Sequence, residues 1–154
     1  MDDKNLNNPL DELFTDSGSQ TDPEELAMIL KPFLRIHRDS GRVLFTTEGM
    51  KISANNRIIL FILARKAMYM QKIKELDSIA PKEIKEELGQ NIPFGTIDAS
   101  LKRLLEKGLI NSRNGKYFVS DFNFPQILEI FAGIIQKIEK QKEHILTNYK
   151  PGGA

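Results

Sequence analysis

Asn114-Gly115 stands between the short runs "LINSR" and "KYFVS", and few dipeptides constrain a chain so tightly. A two-residue turn joining right-twisted antiparallel strands needs positive φ at both central residues, which Asn and Gly adopt at little cost. The pair predicts a tight β-hairpin. Immediately upstream, "IPFGTIDASLKRLLEKGLI" places Ile97, Leu101 and Leu104 at i, i+4 and i+7, the spacing of one buried helix face. Gly108 stands where a left-handed residue closes a helix.

Working outward, "SANNRIILFILARKAMYMQKIKEL" predicts a long helix started by Ser53 or Asn55, with Ile58, Ile59, Ile62 and Leu63 on its core face. Its first half is apolar nearly all round, which marks a buried central helix. "SIAPKEIKEELG" predicts a short helix with Pro81 in its first turn, Ile84 and Leu88 inward and Gly89 as its stop. In "TDPEELAMIL", Asp22 can cap a helix that Pro23 opens and that Leu26, Ile29 and Leu30 face with apolar side chains. Phe33–Ile36 and Val43–Phe45 flank "RDSG" and predict a second small hairpin. The last element is a long helix in "FPQILEIFAGIIQKIEKQKEHIL", where Ile127, Phe131, Ile134, Ile138, Gln141 and Ile145 alternate spacings of four and three, a coiled-coil pattern.

Four segments follow: a disordered acidic arm (1–21), a helix and hairpin extension (22–52), a helical core with its hairpin (53–120) and a C-terminal helix (124–147). The net charge of +1 conceals their asymmetry. Residues 1–25 hold eight acids against Lys4, a net −7, so the remainder carries +8. A basic body with an acidic tail suits a nucleic-acid binder whose tail competes for the basic face or holds a protein, and equally suits a solvated leader. The chain has no cysteine, which excludes disulfides and thiolate chemistry. The longest apolar run, Ile58–Ala64, is far shorter than the ~20 residues of a membrane span, and no secretory leader is visible. A soluble, cytoplasmic protein with no membrane association is expected.

Helix, short helix, helix and tight hairpin, with Gly95, Thr96, Ile97, Leu101, Leu104, Gly108, Leu109 and Ile110 in their places, resemble the core of MarR- and ArsR-type winged-helix regulators. The resemblance covers about 68 residues, Ser53 to Ser120. It implies a mainly α fold with small β-hairpins, a winged helix-turn-helix carrying an N-terminal extension and a long C-terminal helix. It also implies a double-stranded-DNA-binding transcriptional regulator acting as a homodimer.

The DNA-facing side of the 94–106 helix then offers Gly95, Asp98, Ala99, Lys102 and Arg103, with Thr96 and Ser100 on its flanks. Thr96 and Ser100 can bond phosphate or base edges, Asp98 can accept from a cytosine amino group, and Ala99 can touch a thymine methyl. Lys102 and Arg103 supply backbone attraction. Each has a plainer reading as well: Thr96 as a helix cap, Asp98 as a dipole partner, Lys102 and Arg103 as a solvated face. Arg113 and Lys116 straddle the Asn114-Gly115 tip, within reach of phosphate, or keep an exposed edge soluble. Lys82 stands at a helix start, where phosphate is favoured.

Dimerisation is expected through Ile127, Phe131, Ile134, Ile138 and Ile145, with Leu128 and Ile135 as a second strip; the alternative is a helix packed on its own domain. His37 and His144 lie far apart in no metal or nucleophile motif, so neither a catalytic site nor a metal or cofactor is expected. A second reading of function is an adaptor that docks a protein partner through its N-terminal region.

Overall fold

The core is organised around α3 (Ala54–Met70), in which every residue from Ile58 to Lys66 is buried, in a computed structural model that describes residues 9–13 and 20–148. Ser53 caps it, its side chain accepting from the Asn56 N–H at 3.2 Å. Each fully buried Ile or Leu here contributes roughly 1.5–3 kcal/mol, which is why the helix is surrounded on all sides. The fold is mainly helical with two small antiparallel hairpins.

α3 ends at Met70, short of the Leu76 that the sequence pattern reaches. Lys72 takes φ 61°, and its N–H and that of Ile73 bond back to the Tyr69 and Met68 carbonyls at 3.0 and 2.8 Å. That is a Schellman closure without glycine, held because Ile73 turns back onto the core. Tertiary burial outweighs the cost of a left-handed lysine.

Before α3, α1 (Pro23–Leu30) is capped by Asp22 and buries Leu26, Ile29 and Leu30. β1 (Leu34–Ile36) and β2 (Val43–Phe45) pair in the register Leu34 to Phe45 and Ile36 to Val43. A five-residue α2 (Thr47–Lys51), which the sequence pattern does not announce, follows because Thr46 accepts from the Gly49 N–H at 3.1 Å and donates to the Pro32 carbonyl at 2.8 Å. It is too short to show a period.

After α3 come α4 (Pro81–Leu88), α5 (Phe94–Glu106), the hairpin β3 (Asn111–Arg113) and β4 (Lys116–Phe118), and α6 (Phe124–Asn148). Ile84 and Leu88 are buried as their spacing requires. Gly89 stops α4 for a different reason from the one expected: its φ is −66°, and a Cβ there would meet the Lys85 carbonyl and the Phe94 ring at 2.2 Å. α5 buries Ile97, Leu101 and Leu104 against α3 and closes through Gly108 at φ 73°.

The first half of α6 packs on its own domain. Ile127 and Phe131 are 0% exposed, and the Phe131 ring meets Phe33 edge-on with centroids 6.0 Å apart. This corrects the dimerisation stripe: those two residues are core, and Ile134, Ile138, Leu128 and Ile135 are half-buried against it. Gln141 and Ile145 are exposed. The stripe fits because α1 and the β1 approach leave an apolar face that α6 covers.

The arm expected over 1–21 includes described residues at 9–13 and 20–21. Pro9–Leu13 form a 3-10 helix, and Thr21 is buried with its hydroxyl on Asp121 Oδ1 at 2.6 Å. The rest of that arm and the tail after Asn148 lie outside the described residues.

Candidate nucleic-acid interface

The surface singled out by the sequence is assembled by two adjacent cations of α3. Arg65 pairs with Glu83 on α4 and donates to the Ser78 carbonyl, while Lys66 donates to the Val119 carbonyl at 3.0 Å and pairs with Asp121 at 2.9 Å. Both are almost fully buried. Buried charges persist only when paired, so these two fix α4 and the base of the hairpin relative to α3. The sequence carried the signal: Arg65 and Lys66 lie seven residues after Ile58 and Ile59, on the same buried phases.

The β3–β4 hairpin is held at three points. Its tip has φ 54° at Asn114 and 75° at Gly115, matching the type I′ expectation, with Arg113 opposite Lys116. Tyr117 exchanges backbone hydrogen bonds of 2.8 and 2.9 Å with Ile79, just before α4. At its base, Asn111 Oδ1 accepts from the Ser120 N–H and the Asn123 side chain.

On α5, Gly95, Thr96, Asp98, Ala99, Lys102 and Arg103 are exposed together, and a Cβ on Gly95 would have no atom within 4 Å. Ser100 is not among them. It is 2% exposed, because the buried stripe is wide enough to take the position three after Ile97; this removes it as a contact residue. Thr96 is no cap either, since the helix begins at Phe94 with Pro93 in the cap position.

Several polar groups are already engaged within the chain. Asp98 pairs with Lys85 at 2.8 Å, and Lys85 also lies 5.9 Å from the centre of the exposed Phe94 ring. Arg103 donates to Asn55 Oδ1 at 3.2 Å. Arg113 pairs with Asp77 at 2.9 Å and stacks 4.1 Å over the Phe118 ring. Lys82 and Lys102 are exposed and Lys116 is half-buried, and among the described residues none of the three makes an ion pair.

The arrangement is thus a smooth helix face of Gly95, Thr96 and Ala99, with lysines at the short helix, the helix body and the hairpin. It can approach a polyanion closely and attract it at three separated points. Among the described residues no helix is long and apolar enough to cross a membrane, and no group of three or more His, Asp or Glu residues is arranged to hold a metal ion. No protein-family model, curated protein sequence or solved structure matches this chain.

Proposed function

We propose that this protein is a winged-helix, double-stranded-DNA-binding regulator, with α4 and α5 as its helix-turn-helix and β3–β4 as its wing. The observation that carries this reading is the open N-terminal face of α5, Gly95-Thr96 and Ala99, beside a hairpin fixed to α4 through the Ile79–Tyr117 bridge. α5 enters the major groove with Thr96 and Ala99 toward base edges. Lys82, Lys102 and Lys116 meet phosphates, and Arg103 and Arg113 chiefly hold the scaffold. Asp98 keeps Lys85 in position more than it reads a base.

The protein acts as a dimer through the outer part of α6, where Ile145 is 66% exposed in line with the half-buried Ile134 and Ile138. Fluorescence anisotropy on a pool of duplexes at low salt tests the reading. Binding is expected in the wild type and weaker binding in Lys102→Ala; undetectable duplex binding at low salt overturns it.

The adaptor reading is supported by a separate feature. An open apolar groove of about 400 Å³ runs between α1, β1 and the end of α3, lined by Leu26, Leu30, Leu34, Ile36 and Met70 with Lys31 and Arg35 at its margin. It suits an acidic peptide with an apolar face. Recovery of a stable partner independent of DNA, lost in Leu30→Asp, is the outcome that favours it.

A further inference from the structure

A second cleft, of about 180 Å³, lies where β2, the first half of α3 and the α4–α5 turn meet. Its walls include Phe61 and Leu88, and its polar groups include Arg42, Arg57, Glu87 and Asn91. Arg57 Nε is buried with no hydrogen-bond partner, an expensive condition for a charged donor. Among the described residues, neither the Arg42 nor the Arg57 guanidinium is in an ion pair.

The nearby carboxylate does not resolve this. Burial pushes the Glu87 carboxyl up and Glu83 adds to the rise, while Arg42 and Arg65 pull the other way without reversing it. The cleft therefore brings two guanidiniums beside a single carboxyl whose ionisation burial disfavours. A guanidinium presents a planar fork of N–H donors that matches a carboxylate, and the aromatic and aliphatic walls suit a short apolar body. The volume is below that of typical drug-sized pockets, roughly 300–1,000 Å³, so the occupant is small.

We propose that this cleft binds a small organic carboxylate, its anionic end held by Arg57 and Arg42 and its apolar body against Phe61 and Leu88. Because the cleft touches both the N-terminal hairpin and the turn leading into α5, an occupied cleft ties the extension to that helix. Binding of a carboxylate there needs no nucleic acid.

The test is a thermal-shift and calorimetric titration of the full chain with benzoate and butyrate, with sodium chloride at matched ionic strength and inorganic phosphate as comparisons. A saturable rise in melting temperature is expected with the carboxylates, with affinity lowered about tenfold or more in Arg57→Gln and in Arg42→Gln, the loss typical of a charged hydrogen bond. Arg42 is exposed, so its variant remains decisive where Arg57→Gln fails to fold. A response no larger than chloride's overturns the proposal. So does an undiminished response in Arg42→Gln, or saturable binding of phosphate alone.

Discussion

Asp121 is a single side chain that joins three parts of the molecule: it accepts from the Thr21 hydroxyl and backbone N–H and pairs with Lys66 of α3. Burial pushes its carboxyl up, but the hydrogen bonds from Thr21 and Lys66 and the Lys66 charge outweigh this and hold it below its ordinary value of 3.8. A carboxyl with a lowered folded pKa stabilises fully above its unfolded value and loses that contribution as pH falls through the folded one. Asp121→Asn is therefore expected to destabilise at neutral pH and to flatten the acid limb of stability. Urea unfolding from about pH 7 to about pH 2 reads both effects, and parallel acid limbs in wild type and variant contradict the assignment. At this scale the sequence was legible where conformation is local: the Asp22 and Ser53 caps, Gly108 and Asn114-Gly115 all act through their own backbone neighbours. For Lys66 the period marks a buried position, but its partner was not legible, because it is a carbonyl 53 residues away.

The elements divide by how much of their packing partner is nearby in the chain. α5 follows its apolar period faithfully, and only Ser100 departs from the expected exposure, because contact with α3 widens the buried face by one position. α6 was harder to read, since an a/d stripe looks the same whether it meets another helix of the same domain or a second copy. Its two halves are expected to separate by mutation. Phe131→Ala should cost about 3–5 kcal/mol in denaturant unfolding, as for other large-to-small core changes, without altering the oligomeric state. Ile145→Asp should leave stability nearly unchanged and shift sedimentation toward the monomer. A wild type already monomeric at micromolar concentration removes the dimer proposal, while a small loss in Phe131→Ala contradicts the core assignment.

Across the whole molecule the charges are partitioned: a −7 segment over residues 1–25 precedes a body of +8. Within that body Arg65, Lys66, Lys85 and Arg113 are spent on internal pairs, leaving Lys82, Lys102 and Lys116 among the described cations that make no ion pair. The proposed DNA affinity should accordingly be modest and fall with salt. Lys102→Ala with Lys116→Ala should flatten the log–log salt slope by about 2, near 0.9 for each phosphate contact, whereas Asp77→Asn, which frees Arg113, should not flatten it. An unchanged slope in the double variant removes those lysines from the interface. By itself the sequence determined the kinds and order of the principal elements, their caps, the hairpin turn and the buried face of α5, because each is set by interactions within a few residues. Only the tertiary structure decided which cations are bolts and which are free, that α6 closes its own core, and where α3 stops. Those outcomes turn on burial and pairing between segments far apart in the chain, where desolvation outweighs local preference.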